Sequence, residues 1–238
     1  MVYYDFHSHI LPGMDDGAQD EEMSKEMLVR LKNQGVENVM LTPHFWCWEE
    51  TVEEFLLRRD EAFLRLKAVY DKDIMPSIGI GAEVALRQGV SRMDCKALSF
   101  CGDYILLELP EVYGEWIIDE VENIMLKGLR PVFAHIERPF ISYSKRQFEK
   151  LIDCRSFIYQ TNVSALTSRG IRNHFIKYFL QGAKFILGSD AHNLKGRAPD
   201  FDNKSLEGRK LIASGFMDAV EQNSNYILSK VGNLYGEL

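Results

Sequence analysis

The histidines of this sequence are few and gathered. Only six occur, and five stand in short polar groups: His7-Ser8-His9, Thr42-Pro43-His44, Ala134-His135-Ile136-Glu137-Arg138 and Asp190-Ala191-His192. Residues two apart on an extended strand share a face, so His7 and His9 can aim both rings at one cation. Asp190 and His192 repeat that spacing. Imidazole with carboxylate is a ligand set for borderline divalent metals. Two more acids, Glu83 and Glu108, close apolar stretches; Glu108 follows Ile105-Leu106-Leu107, where an unpaired carboxylate is costly to bury and calls for a cation. Asp15-Asp16-Gly17 reads as a turn in isolation, and beside His7 and His9 its Asp16 reads as a further ligand. The sixth histidine, His174, lies between Asn173 and Phe175 in a helical stretch and is expected to be a solvated or capping residue outside any site.

Two arginines extend this chemistry. Arg138 shares a segment with His135, and Arg197 follows His192 in Gly196-Arg197. A guanidinium beside a metal cluster is suited to gripping a pair of phosphate oxygens. Nine candidate ligands, five His and four carboxylates, could hold up to three divalent ions. Six positive charges against four negative ones would leave an excess of about two, which matches a phosphate monoester dianion. Other templates fail on spacing. Cysteine phosphatases carry an arginine six residues after the nucleophile. The residues six beyond Cys47, Cys95, Cys101 and Cys154 are Glu53, Cys101, Leu107 and Gln160. There is no Gly-x-Ser-x-Gly elbow, Walker A loop or His-Glu-x-x-His. The four cysteines form no CxxC and no zinc-finger spacing, so a structural zinc site is not expected.

These residues must be positioned by an ordinary globular chain. It has 238 residues, 46% hydrophobic and 26% charged, which sets aside disorder, collagen and coiled coil. The net charge of −7 lacks the basic footprint of a nucleic-acid binder. No apolar window approaches the roughly 18 residues of a membrane span. Met1-Val2-Tyr3-Tyr4-Asp5-Phe6-His7 has no basic stretch or long apolar run, so the expectation is a cytoplasmic protein with reduced thiols and no membrane insertion. No linker or repeat divides residues 1–238, which predicts a single domain.

What recurs along the chain is a strand followed by a helix. Strands are expected at Val2–His7, Val39–Thr42, Ser77–Glu83, Tyr104–Glu108, Pro131–His135, Phe157–Thr161 and Lys184–Gly188. Helices are expected at Glu21–Gln34, Val52–Tyr70, Trp116–Lys127, Lys145–Ile152 and Ile171–Leu180, with several after Asp202. This alternation predicts a parallel sheet covered by helices. His7, His44, Glu83, Glu108, His135 and Asp190 each fall at or just past the C-terminal end of a strand, and Asn162 closes the remaining one. Reactive groups gather at that end in barrels of parallel strands, whereas an open sheet would spread them along a line. The fold class expected is α/β, a distorted TIM-like (β/α) barrel of about seven strands.

The motifs together resemble a known family. His7-Ser8-His9-Ile10-Leu11-Pro12-Gly13-Met14-Asp15-Asp16-Gly17 is similar to the opening motif of the bacterial capsule and exopolysaccharide tyrosine phosphatases, in the polymerase-and-histidinol-phosphatase (PHP) superfamily. Thr42-Pro43-His44, Gly81-Ala82-Glu83, Leu107-Glu108, Ala134-His135-Ile136-Glu137-Arg138, Gln160-Thr161-Asn162 and Ser189-Asp190-Ala191-His192-Asn193 with Gly196-Arg197 follow in family order, spanning residues 2 to about 200. The resemblance implies a distorted (β/α)7 PHP barrel with a trinuclear site, manganese foremost, with iron, zinc or cobalt as alternatives. It implies that His7, His9, Glu83 and Asp190 hold one ion; that Glu83 bridges to a second held by Glu108 and His135; that Asp16, His44 and His192 form the third site; and that Arg138 and Arg197 bind phosphate. Phe45-Trp46-Cys47-Trp48 departs from the more polar stretch of the family, and its tryptophans either wall a pocket for a phenol ring or simply pack.

The activity so implied is hydrolysis of phosphotyrosine on protein, by in-line attack of a metal-bound hydroxide without a phosphoenzyme. The implied partner is the tyrosine-phosphorylated tail of a bacterial kinase that controls polysaccharide synthesis; a homo-oligomer is left open. Two alternatives stand beside it: a small-molecule phosphatase of the histidinol-phosphatase kind, and a non-catalytic metal-binding or kinase-docking module.

Overall fold

The structure is a computed structural model that describes residues 2–152, 157–201, 206, 208–230 and 234. Cys154 lies outside the described residues. Among the described residues nine strands and eight α-helices follow in this order: β1 (Tyr3–Ser8), α1 (Glu21–Asn33), β2 (Val36–Leu41), β3 (His44–Phe45), α2 (Val52–Val69), β4 (Ser77–Ile80), β5 (Glu83–Ala85), β6 (Tyr104–Glu108), α3 (Trp116–Leu126), β7 (Arg130–Phe133), α4 (Glu137–Ser142), α5 (Lys145–Ile152), β8 (Ile158–Asn162), α6 (Arg169–Leu180), β9 (Lys184–Gly188), α7 (Arg209–Ala213) and α8 (Phe216–Leu228). The helices start where capping chemistry allows. Asp20 accepts the Met23 N–H ahead of α1, and Thr51 with Glu54 forms a reciprocal capping box on α2.

Every ladder between strands is parallel. One sheet runs β1-β2-β4 and the other β3-β5-β6-β7-β8-β9. The sheets join at two seams. On one side Ser8 bridges Ala191, and the Asp190 N–H donates to the His7 carbonyl at 2.8 Å. On the other, Gly81 N donates to Leu41 O and Glu83 N to Pro43 O, both at 3.0 Å. The stretch expected as one strand, Ser77–Glu83, is thus β4 and β5 with a break between them, and β2 passes into β3 across a similar break. Followed through these breaks, seven strands succeed one another round a ring, consistent with the expected barrel.

Side-chain alternation accounts for the layering. Phe6, Met40, Leu106, Val132, Ile158 and Ile186, one from each of six strands, form a buried cluster of their own. Their neighbours Val39, Leu41, Ile105, Leu107, Phe133, Tyr159, Phe185 and Leu187 belong to the larger cluster that includes Met27, Leu28 and Leu31 of α1 and Ile117, Val121 and Ile124 of α3. A period of two separates the faces. Two residues beyond the small cluster, the same strand face carries Ser8, Thr42, Glu108, Gln160 and Gly188. Bulky apolar filling ends there, and polar or small side chains take over.

Gly188 sits at that transition. A Cβ at this position would lie 2.6 Å from both Gln160 Nε2 and the His7 Cβ. Gly188→Ala is therefore expected to cost about 1–3 kcal/mol, read as a lowered thermal midpoint. Gly196→Ala, with nothing within 4 Å of its Cβ, should leave the midpoint where it is.

Candidate metal centre

All nine expected ligands converge at the C-terminal ends of the strands. Side-chain atoms of His9, Asp16, His44 and His192 lie within 4.8 Å of one another. So do those of His7, Glu83 and His135, of His7, His9 and Asp190, and of His44, Glu83 and Glu108. Glu83 is the hub. Its Oε2 is 3.1 Å from His7 Nε2, 3.2 Å from His9 Nε2 and 3.0 Å from His44 Nδ1, and its Oε1 is 2.8 Å from His135 Nε2. His192 Nε2 lies 3.2 Å from Asp16 Oδ1, and Glu108 Oε1 lies 3.6 Å from His135 Nε2. His174 stays apart on α6, its Nδ1 against the Gly170 carbonyl at 2.9 Å.

The residues fit a divalent cation on their own chemistry. Ligands about 2.0–2.2 Å from one ion stand about 3.0–3.5 Å from each other, which is the spacing around Glu83. Glu83 Oε2, His44 Nδ1 and His192 Nε2 are buried and make no hydrogen bond. Three imidazoles are also fixed in the tautomer a metal needs. Gln160 Oε1 accepts the His135 N–H at 2.6 Å, so it is the amide oxygen, and it must accept from His7 Nδ1 at 3.0 Å. His9 Nδ1 donates to Asp15 Oδ2 at 2.7 Å, and His192 Nδ1 donates to the Asp190 carbonyl at 2.9 Å. Each bond leaves Nε2 bare and turned toward the cluster. His44 has no such hydrogen bond. Its ring stacks on Trp46 instead, centroids 4.8 Å apart at 21°.

The electrostatics favour positive charge here. Burial pushes the Glu83 carboxyl up, but His7, His135 and His44 outweigh it and hold it well below the carboxylate range. Burial opposes protonation of His7 and His9, yet Glu83, Asp190 and Asp15 raise both above an ordinary histidine. A field that draws protons onto buried imidazoles also draws cations. His192, lowered to about 4 by burial and by His9, stays neutral. Two contributors sit in strained backbone: φ is +28° at His135 and +53° at Asp190. Such conformations cost of order 1–3 kcal/mol and cluster at functional sites.

Both arginines reach the site, bonded to its acids. Arg138 Nη2 donates to Asp190 Oδ2 at 2.7 Å and Nη1 to Glu108 Oε1 at 3.3 Å. Arg197 Nη2 donates to Asp190 Oδ1 at 2.8 Å. Each guanidinium remains about half exposed, and both line one cavity beside Asp190.

Comparison with known proteins agrees with this geometry. The family model for capsular polysaccharide synthesis, CpsB/CapC, matches residues 3–229. The chain belongs to the CpsB/CapC family. It is 32% identical to the tyrosine-protein phosphatase CpsB of Streptococcus pneumoniae over 82% of this chain and 85% of that protein. It is 27% identical to the tyrosine-protein phosphatase YwqE of Bacillus subtilis over 81% and 78%. Solved structures of YwqE and of S. pneumoniae CpsB, described as metal-dependent tyrosine phosphatases, include a chain that superposes with a TM-score of 0.74 at 25% identity, covering 96% of this chain and 95% of the other.

The CpsB/CapC chain also uses residues outside the expected ligands. Asp15, read as part of a turn, is the buried acceptor that orients His9; it also takes the His44 and Gly17 N–H groups. Gln160 orients His7, and Asn162 Nδ2 donates to Asp190 Oδ2 at 3.1 Å. Asp5 accepts from Ser189 Oγ at 2.6 Å and from the Ser189 and His7 N–H groups; burial raises it to about 6. Glu137, raised to about 7 by burial, holds the Asn162 N–H and Thr161 hydroxyl. Asp5-x-His7 already places an acid two residues before a ligand on the same strand face, a signal that could have marked Asp5. Nothing local marks Gln160, which lies 153 residues from His7.

Gln160→Leu removes the acceptor of both His7 Nδ1 and the His135 N–H. It is expected to weaken Mn²⁺ binding about 10- to 100-fold in a calorimetric titration. Its metal-free form should unfold with about 1–3 kcal/mol less stability. Unchanged affinity would show that the His7 tautomer is set by something else.

Proposed function

We propose that the chain is a metal-dependent phosphomonoesterase that removes phosphate from tyrosine on protein, its substrate the tyrosine-phosphorylated tail of a bacterial kinase governing polysaccharide synthesis. The observation that carries this reading is the set of three imidazoles whose Nε2 atoms are kept bare, those of His7 and His9 beside the buried, unbonded Oε2 of Glu83 and that of His192 beside Asp16, with two arginines at the rim. His7, His9, Glu83 and Asp190 would hold one ion, Glu83, Glu108 and His135 a second, and Asp16, His44 and His192 a third, with manganese the preferred metal. Divalent ions bound there supply Lewis acidity and an ionised water near neutral pH.

The chain's own groups do the rest. Arg138 and Arg197 each have five N–H donors; some meet Asp190, Glu108, His135 and Asp16, and both side chains line the cavity, where their free donors would suit equatorial phosphoryl oxygens. Two serines next to the ligands are engaged elsewhere, Ser8 Oγ on the Met40 carbonyl and Ser189 Oγ on Asp5, and attack by water rather than by either side chain fits. Trp46 stacked on His44, and Trp48 half exposed beyond it, give the rim an aromatic wall suited to an aryl ester. The free thiols of Cys47, Cys95 and Cys101 suit a reducing, cytoplasmic setting.

Stripping the protein with a chelator should abolish hydrolysis of p-nitrophenyl phosphate and of a phosphotyrosine peptide, and added Mn²⁺ should restore both. Full turnover after metal removal would end the proposal. Arg138→Ala should lower kcat/KM about 100-fold with bound metal unchanged by elemental analysis. Loss of metal in that variant would make Arg138 a support for the ligands rather than a phosphate binder. Faster turnover of histidinol phosphate than of phosphotyrosine peptide would move the substrate to small molecules.

A further inference from the structure

The cleft beside Asp190 carries more positive charge than one phosphoryl group requires. Its cavity of about 430 Å³ is lined by Arg30, Arg138, Lys195 and Arg197 with two carboxylates, Asp190 and Asp200. That volume equals more than a dozen waters at about 30 Å³ each, well beyond a phosphoryl group. Arg138 and Arg197 turn inward onto Asp190. The other two cations do not. Arg30, near the end of α1, makes one long bond of 3.4 Å to the Leu194 carbonyl and has no carboxylate partner among the described residues. Lys195 is exposed, and its ammonium has no partner among the described residues. Both line the cavity at the edge of the site without a carboxylate partner among the described residues, and they help hold the cleft positive in a chain whose net charge is negative.

The flank beyond Trp48 has the reverse sign. Beyond Trp48, a cavity of about 470 Å³ is lined by Glu49, Glu50, Glu53, Glu54 and Asp94. An anionic group next to the scissile phosphate is repelled on that side and attracted on the other, so the two flanks together define a direction along an extended substrate.

We propose that Arg30 and Lys195 form a subsite for a second anionic group of the substrate, carried by a residue adjacent to the phosphotyrosine. This rests on the phosphatase reading above and names its preferred substrate class, phosphotyrosine peptides with an acidic neighbour. The shared chemistry is an oxyanion, supplied either by an Asp or Glu carboxylate or by a second phosphotyrosine.

The test compares three phosphotyrosine peptides, with neighbouring glutamates, a neighbouring phosphotyrosine or neutral glutamines, on the Mn²⁺-loaded protein and on Arg30→Gln, Lys195→Gln and the double variant. The acidic peptides should show a KM about three- to tenfold below the neutral one. The double variant should lose that preference, and its turnover of p-nitrophenyl phosphate should match the parent. Lys195 is exposed, so its variant folds whatever Arg30→Gln does to α1. Preference for the phosphotyrosine neighbour over glutamate would assign the oxyanion to phosphate, and equal preference to any carboxylate or phosphate. Peptide binding to the metal-free protein by fluorescence anisotropy supplies a readout independent of turnover, and the acidic peptides should bind more tightly there, less so at high salt. Equal KM and equal binding for acidic and neutral peptides, with turnover intact, would overturn the subsite alone. Absence of turnover on every ester would instead overturn the phosphatase reading.

Discussion

A single buried carboxylate organises this protein. Glu83 is fully buried and stands within hydrogen-bonding distance of four imidazoles. Taking an unpaired carboxylate out of water costs several kcal/mol, so the fold is tolerable only if positive charge collects around it. The structure supplies part of that through the imidazoles and leaves Glu83 Oε2 without a hydrogen bond. What surrounds the cluster serves to keep ring nitrogens turned toward this oxygen. Gln160 does so for His7, Asp15 for His9 and the face of Trp46 for His44, while the Asp190 carbonyl turns His192 Nε2 toward Asp16.

Bringing four histidines to one carboxylate constrains the backbone. Regular strands would carry His44 and Glu83 away from His7, and the chain departs from regularity where they are needed. The β1–β2 register slips between Asp5 and Ser8. β2 gives way to β3, and β4 to β5, at matching heights, so that His44 pairs in register with Glu83. At the ends of β7 and β9 the chain enters left-handed backbone at His135 and Asp190. Beneath these irregularities the small cluster of Phe6, Met40, Leu106, Val132, Ile158 and Ile186 is ordinary apolar packing, which supports the strained layer from below.

Much of this was legible in the sequence because it follows short-range rules. Strand and helix alternation placed seven strands to within a few residues, and the three-residue groups His7-Ser8-His9 and Asp190-Ala191-His192 revealed their shared faces through the strand period. Acids after apolar runs marked Glu83 and Glu108 through the cost of burying charge. What escaped was set by long-range contact. The break that splits Ser77–Glu83 into two strands is dictated by pairing with β2 and β3, not by local propensity. The short helix Glu137–Ser142 carries little local signal, being six residues long with no side-chain cap at Ile136. Asp15 and Asp16 are adjacent and identical in type, and only the fold shows that one is buried under His9 while the other stays exposed near His192.

Asp190 connects the two halves of the site. Its Oδ2 takes Arg138 and Asn162, its Oδ1 takes Arg197, and Oδ1 also lies 3.5–3.6 Å from His7, His9 and His192. Burial works against its charge, but His7 and His9 hold the carboxyl far below its ordinary range. A carboxylate has about four acceptor positions; Arg138, Asn162 and Arg197 take three of them, and the remaining position on Oδ1 is left to the imidazole side. The two kinds of positive charge are coupled through one acid, and the left-handed turn at residue 190 is what lets a single side chain face both.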